Sequence, residues 1–233
     1  FGVGRSMRVR KLLGWLLGGA LGYGALGVAA QPAQAPDARW RDTFSAFAEA
    51  DRLRMPEPGG IVFVGSSSIR LWPGLESQFS GSAPVVIKRG FGGSRLADCA
   101  ENLGQLVTQY KPRQVVVYAG ENDLTEGRTP QQVFDSFVAF VRGVHDALPE
   151  TQITYVSIKP SPLRATLMPQ VREANRLIAE YVADRPRLDY IDVYSKMIDS
   201  HGRARSDLFV DDALHLNAAG YALWREEIAS RLR

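Results

Sequence analysis

The chain has 233 residues, 45% hydrophobic and 23% charged, which is typical of one globular domain with a sizeable core. The net charge of +3 comes from the N-terminus: the first 35 residues hold four basic and no acidic residues, and the remainder holds 24 basic and 25 acidic ones. The body of the chain therefore gives no electrostatic reason to expect nucleic acid as a partner.

The N-terminal residues have the layout of a secretory signal. From Met7, the predicted translation start, the basic sequence MRVRK precedes the apolar run Leu12–Ala30, and the small-residue sequence AQA ends at Ala35. We expect residues 1–35 to be a cleaved signal peptide and residues 36–233 to form an exported domain, periplasmic or secreted, without a membrane contact. An uncleaved segment would instead be an N-terminal anchor, because its 19 apolar residues approach the length that spans a bilayer.

The rest of the chain alternates between predicted helices and strands. An amphipathic helix is predicted within Asp37–Leu53, and a Pro- and Gly-rich break follows it. Five short β-like runs come next, at residues 61–64, 85–88, 114–118, 151–158 and 188–193. Helical patterns separate these runs. Strands that alternate with helices indicate parallel strands joined by crossovers, so we predict one α/β domain with a five-stranded parallel sheet.

Two of the predicted helices carry clear start signals. The helix Pro130–Leu148 follows Thr129, a capping residue, and Gln132 stands at the third helical position, which together form a capping box. Asn217 is predicted to cap the last helix. The single cysteine, Cys99, excludes an intrachain disulfide and a thiolate metal site, and we expect it to be partly buried in a helix.

The loops that follow the predicted strands carry the candidate chemistry, since ligands bind beyond the carboxyl ends of parallel strands. Four such segments are GSSS at 65–68, RGFGGS at 89–94, AGEND at 119–123 and DDALHLN at 211–217. Each of them alone is a weak signal, because Gly-rich and Asn-Asp sequences are usually turns. Together they supply a hydroxyl nucleophile, backbone and amide donors, and a histidine with carboxylates.

These four segments resemble, in order, the four sequence blocks of the SGNH hydrolases, also called GDSL-type esterases and lipases. GSSSIRLW looks like the first block, with Gly-Ser-Ser in place of the commoner Gly-Asp-Ser, and RGFGGS, GEND and DALH look like the other three. The resemblance covers nearly the whole mature chain. It implies a flavodoxin-like, three-layer α/β/α domain and ester hydrolysis that needs no cofactor and no metal.

The resemblance further implies a catalytic triad. Ser67 aligns with the nucleophile, and Ser66 stands where the family usually has Asp. Asp212 and His215 align with the acid and the base, whereas Asp211 has the wrong spacing. The chemistry agrees, because serine is a weak nucleophile until an adjacent imidazole takes its proton, and a carboxylate orients that imidazole.

The resemblance also implies an oxyanion hole. Gly93 aligns with the oxyanion-hole glycine, with Gly92 as the alternative, and Asn122 aligns with the amide donor. The backbone N–H of Ser67 would be a third donor. The two serines that flank Ser67 are expected to serve the turn and the helix cap.

Two other functions remain open. A non-catalytic module could bind an anion or a saccharide through the GSSS loop, although binding would not require Asp212 and His215. A metal-dependent phosphoesterase could use Asp123, Asp212 and His215, but it needs a fuller ligand set. We therefore predict a serine esterase that acts on a small-molecule or saccharide ester, with a short acyl group such as O-acetyl. The residues do not specify the acyl chain, the alcohol, a thioester alternative or the oligomeric state.

Overall fold

Five parallel strands form one sheet inside the domain. The structure is a computed structural model, and it describes residue 1 and residues 38–83 and 85–233. The predicted signal peptide, apart from Phe1, therefore lies outside the described residues. Within the described part of the chain, no helix has the length and apolar character needed to cross a bilayer.

The strands confirm the predicted α/β organisation. They are β1 (Ile61–Gly65), β2 (Val86–Gly90), β3 (Gln114–Tyr118), β4 (Gln152–Val156) and β5 (Leu188–Ile191). They lie in the order β2-β1-β3-β4-β5, and every neighbouring pair is parallel. Both β1 and β3 are buried along their whole length, which explains their continuous rather than alternating apolar sequences. The predicted fourth run, 151–158, is shorter at both ends in the structure.

Helices connect the strands. The α-helices are α1 (Arg41–Leu53), α2 (Ser67–Arg70), α3 (Leu75–Gln78), α4 (Leu96–Glu101), α5 (Leu103–Leu106), α6 (Glu121–Thr125), α7 (Pro130–Ala147), α8 (Met168–Ala183) and α9 (Ala218–Ala229). Short 3-10 helices lie at Ala38–Trp40, Thr108–Tyr110, Pro162–Leu167, Ser195–Met197 and Ser206–Leu208. The predicted capping box is present, with Thr129 and Gln132 exchanging hydrogen bonds at the start of α7. Asn217 caps α9 through its side-chain oxygen, as predicted.

The helices cover both faces of the sheet, which confirms the three-layer fold. On one face α1, α4, α7 and α8 pack on the strands, and Phe137 and Phe140 of α7 are fully buried there. On the other face α2, α3 and α9 pack on the strands, with Trp224 of α9 fully buried. Cys99 belongs to the first of these clusters and is completely buried, not partly as predicted. Burial raises the pKa of its thiol, so this residue is unsuited to nucleophilic chemistry.

The order of the strands creates a crevice beside β1. The chain passes from β1 to β2 at the sheet edge and then returns past β1 to β3, so β1 and β3 flank a topological switch point. In the register of the sheet, Gly65 pairs with both Gly90 and Tyr118. The first three strands therefore end at one level, and the loops that follow them meet at the same edge.

Candidate active site

Ser67 begins α2 directly after β1, at a turn that only glycine permits. Gly65 has a φ of +148°, and a Cβ there would lie 1.9 Å from the carbonyl oxygen of Tyr118. A Cβ on Gly90 would lie 2.2 Å from the backbone nitrogen of Arg70. Because neither position has room for a side chain, strands β1, β2 and β3 can approach the start of α2 closely. Ser67 is thereby held half-buried at the carboxyl edge of the sheet.

Ser67, His215 and Asp212 form a continuous hydrogen-bonded line. His215 Nε2 lies 3.0 Å from Ser67 Oγ, and His215 Nδ1 lies 2.6 Å from Asp212 Oδ2. The bond to the imidazole, with backbone N–H bonds from His215 and Leu214, lowers the pKa of Asp212 to about 2. An ionised carboxylate only accepts, so Nδ1 carries a proton, and Nε2 of the neutral ring accepts from the serine hydroxyl. Exposed Asp211 makes no side-chain hydrogen bond to any described residue.

A tight turn brings Asp212 back onto His215. Ala213, between them, has a φ of +56°, in the left-handed region that side chains rarely adopt. Its carbonyl oxygen accepts a hydrogen bond from the Leu163 N–H at 3.0 Å, and the carbonyl of His215 accepts from the Val210 N–H at 2.9 Å. These backbone bonds fix the loop that carries the acid and the base, and they join it to the segment after β4.

The predicted oxyanion donors border the same space as the nucleophile. A cavity of about 530 Å³ is lined in part by Ser67, Gly93, Asn122 and His215. The N–H groups of Ser67 and Gly93 donate to no other described residue. Both are therefore available to an oxygen atom that enters the cavity.

Gly92 and Gly93 differ in their surroundings. The carbonyl oxygen of Gly92 accepts a hydrogen bond from Trp40 Nε1 at 2.8 Å, and a Cβ on Gly92 would lie 3.0 Å from Arg70 Nε. Gly93 has a φ of +72° and open space around the Cβ position. Both glycines line the cavity, so the choice of Gly93 over Gly92 stays a prediction.

The side chain of Asn122 is fixed from both ends. Its Nδ2 donates to the carbonyl oxygen of Ser94 at 3.0 Å, and its Oδ1 accepts from two nitrogens of Arg164, each at 3.2 Å. One N–H of the amide is left without a described partner. Sequence reasoning missed Arg164, and the available signal was its place in the segment after the predicted fourth strand, at the same sheet edge.

A buried ion pair adjoins Asn122. The carboxylate of Glu121 lies 2.5 Å from Lys159 Nζ and accepts from Ser161 Oγ. Burial opposes ionisation of Glu121, but the charges of Lys159 and Arg164 outweigh burial, so the pKa of the carboxyl lies below its usual value. Burial lowers the pKa of Lys159, and Glu121 partly offsets that effect. The pair is therefore a charged structural element behind the amide of Asn122.

Ser66, beside the nucleophile, stands at the expected cap position of α2 but does not cap with its side chain. The N–H groups of Ile69 and Arg70 bond to the backbone oxygen of Ser66 instead. The prediction of a side-chain cap is therefore wrong for Ser66, because this single-turn helix is closed by the main chain. Both Ser66 and Ser68 are buried.

The residues proposed for a metal site do not converge. Asp123 is fully buried, its Oδ2 accepts from the Leu96 N–H at 2.9 Å, and burial raises its pKa. Among the described residues, no three His, Cys, Asp or Glu side chains are placed to hold one metal ion. The alternative of a metal-dependent phosphoesterase thus finds no ligand set in the described part of the chain.

Comparison with known families agrees with this geometry. The sequence profile of the GDSL-like lipase/acylhydrolase family matches residues 62–223. The chain belongs to this family. It is therefore an ester-bond hydrolase, and the matched range includes all five predicted site residues. No curated protein sequence showed significant similarity to the chain.

Solved structures share the fold of this GDSL-family hydrolase. A GDSL-like lipase from Bacteroides thetaiotaomicron superposes with a TM-score of 0.68 at 18% identity, covering 81% of this chain and 96% of that one. A carbohydrate esterase family 3 protein from Talaromyces cellulolyticus gives 0.61 at 19% identity, covering 75% and 96%. An acetyl-xylooligosaccharide esterase from Geobacillus stearmophilus gives 0.62 at 12% identity, covering 76% and 95%. At these identities the likeness shows the fold.

The buried ion pair yields a stability prediction. Lys159→Met should lower the free energy of unfolding by about 3 to 5 kcal/mol, because Glu121 would stay buried with only the more distant Arg164 as its cation. Urea unfolding followed by circular dichroism at neutral pH measures this. Arg187→Met is the matched control: Arg187 lies 2.6 Å from Glu150, a similar distance, but both are exposed. Arg187→Met should lower the free energy of unfolding by about 1 kcal/mol or less. Equal small losses of stability in both variants would contradict the conclusion that the buried pair stabilises the fold.

Proposed function

We propose that this GDSL-family hydrolase is a serine esterase in which Ser67 attacks the carbonyl carbon of a carboxylic ester. The line of hydrogen bonds from Ser67 through His215 to Asp212, at 3.0 and 2.6 Å, is the observation that carries the proposal. As Ser67 Oγ bonds to the carbonyl carbon, its proton passes to His215 Nε2. Asp212 stabilises the resulting imidazolium and holds the ring in place.

The reaction then proceeds through two tetrahedral intermediates. The N–H groups of Ser67 and Gly93 and the free amide N–H of Asn122 would donate to the negative oxygen of each. In the first, the bond to the alcohol breaks, His215 returns its proton to the alcohol, and the acyl group stays on Ser67. Water then attacks this acyl-enzyme as His215 Nε2 takes its proton. When the second intermediate collapses, the bond from the acyl carbon to Ser67 Oγ breaks, His215 returns the proton to Oγ, and the free acid leaves.

We propose a short acyl group, such as acetyl, on a small polar molecule or a saccharide. Of the described residues that border the cavity, only Trp40 and Leu214 have large apolar side chains, which is little surface for a long acyl chain. Arginine, threonine and asparagine side chains line the rest, and they suit a polar alcohol. The names of two structures with the same fold, a carbohydrate esterase and an acetyl-xylooligosaccharide esterase, support a saccharide ester.

Export is the second part of the proposal. The basic, apolar and small-residue segments that end at Ala35 support cleavage there. N-terminal sequencing of the processed protein should give a start near Pro36, in a fraction outside the cytoplasm. An intact N-terminus recovered with the membrane fraction would show an anchor instead.

The acid of the triad can be tested with two neighbouring aspartates. Asp212→Asn should lower kcat/KM for para-nitrophenyl acetate by about a thousandfold to ten-thousandfold, because an amide supports neither the tautomer nor the imidazolium. Asp211→Asn should retain most of the activity, since its side chain bonds to no described residue. The pH profile adds a second readout. Because the pKa of Asp212 is about 2, it stays ionised in the assay range, so protonation of Asp212 should not limit wild-type activity there.

Ser67→Ala provides the background rate for these measurements. Equal losses in the two asparagine variants, or a larger loss in Asp211→Asn, would remove Asp212 from the mechanism. Wild-type activity no higher than that of Ser67→Ala would remove the proposed nucleophile.

A further inference from the structure

Arg70 lies beside the nucleophile, and its positive charge is paired with no described residue. It lies three residues after Ser67 on α2, and both residues border the cavity. Residues at this spacing share one face of a helix, with Cβ atoms about 5–6 Å apart. The guanidinium lies close to Gly92: a Cβ atom added to this glycine would lie 3.0 Å from Arg70 Nε and 3.3 Å from Nη2. Arg70 is exposed, and its side chain forms no hydrogen bond or ion pair with a described residue.

The surroundings of the cavity do not neutralise this charge. Arg39 and Arg164 also border it, and none of the described residues in its lining is Asp or Glu. Arg39 lies 4.0 Å from Asp98, a carboxylate that also pairs with another arginine at 2.7 Å. Arg164 lies 3.4 Å from Glu121, which already holds the buried lysine at 2.5 Å. Asp98 and Glu121, the carboxylates beside Arg39 and Arg164, each pair with a second basic residue, and neither is paired with Arg70.

We propose that Arg70 is an anion subsite, which binds a carboxylate that the substrate carries close to its scissile ester. The proposal rests on the proposed esterase function and narrows its substrate class to acidic esters. A guanidinium presents two parallel N–H donors that match the two oxygens of a carboxylate. Because Arg39 and Arg164 already lie beside carboxylates, Arg70 is the guanidinium left to face the ligand, and its single charge favours a carboxylate over a phosphate dianion.

The carboxylate of Asp212, which could compete with the substrate for Arg70, already accepts hydrogen bonds from its own loop. Asp212 Oδ1 accepts from the N–H groups of Leu214 and His215, and Oδ2 binds the imidazole. These three bonds hold the Asp212 carboxylate on its own loop. Arg70 therefore remains available to a group brought by the substrate.

Two pairs of esters separate charge from shape. Para-acetoxybenzoate and its methyl ester differ by a carboxylate on the alcohol side of the scissile bond. Para-nitrophenyl hemisuccinate and para-nitrophenyl pentanoate differ by a carboxylate on the acyl side. In each pair the measured quantity is the ratio of kcat/KM for the anionic ester to that for the neutral ester. Comparing this ratio between wild type and variants cancels the intrinsic reactivities of the esters.

Arg70→Gln should lower this ratio about tenfold or more in at least one pair, because a charge-assisted bond is lost. Arg70→Lys keeps the positive charge but loses the two parallel N–H donors of the guanidinium, so it should give an intermediate ratio. Arg225→Gln is the matched control: Arg225 is an exposed arginine of α9 that borders a separate depression of about 690 Å³. It removes the same net charge and should leave both ratios unchanged.

The outcomes distinguish the subsite from the esterase function. Turnover of all four esters with the same ratios in wild type and Arg70→Gln would overturn the anion subsite and leave the esterase standing. If wild type turns over none of them, the proposed function fails, and an NMR titration with para-hydroxybenzoate decides the subsite. Weaker binding in Arg70→Gln than in Arg225→Gln would then support it, and equal binding would overturn it.

Discussion

The hydrogen bond between Ser67 and His215 joins residues 148 positions apart, and most of the fold serves to place its two ends. At one end, β1 must stop at Gly65, where the chain approaches Tyr118 too closely for any side chain. At the other end, the loop before α9 must return to the same sheet edge. Tyr221 of α9 donates to the carbonyl oxygen of Ser68 at 2.9 Å and so ties together the helices on either side of this bond. A serine hydroxyl becomes a useful nucleophile only when a base is held at such a distance.

Several polar and charged side chains are buried behind this bond, and the hydrogen bonds and ion pairs that they form with one another make their burial stable. Glu121 and Lys159 would each be costly alone in the interior, but together they form a paired and hydrogen-bonded unit. Arg164 extends this unit by donating to the amide oxygen of Asn122, and the amide nitrogen donates to the carbonyl oxygen of Ser94. These two contacts fix the orientation of the amide. The donors of the proposed oxyanion hole are thus oriented before a substrate arrives, and such preorganisation is the main electrostatic contribution to ester hydrolysis.

The sequence predicts the local features of this molecule well and its long-range pairings poorly. Runs of consecutive apolar residues identify β1 and β3, and the capping residues Thr129 and Asn217 mark where two helices begin. The order of the four loop segments indicates the family and the edge of the sheet where they meet. No local periodicity predicts the pairing of Lys159 with Glu121, because Glu121 begins α6 and Lys159 lies in the loop after β4, and only the sheet brings these two segments together. For the same reason no local pattern shows that Arg70 pairs with no carboxylate among the described residues, since that depends on every element around it.

The most direct test of the central claim is the position at which a fluorophosphonate attaches covalently. Its phosphorus replaces the carbonyl carbon and reacts with an activated hydroxyl, so it reports which serine the histidine deprotonates. Tryptic digestion releases all three candidate serines in one peptide, Met55–Arg70, and fragmentation of that peptide locates the label. The geometry predicts a label on Ser67 alone. A label on Ser66 or Ser68, or an active protein that takes up no label, would contradict it.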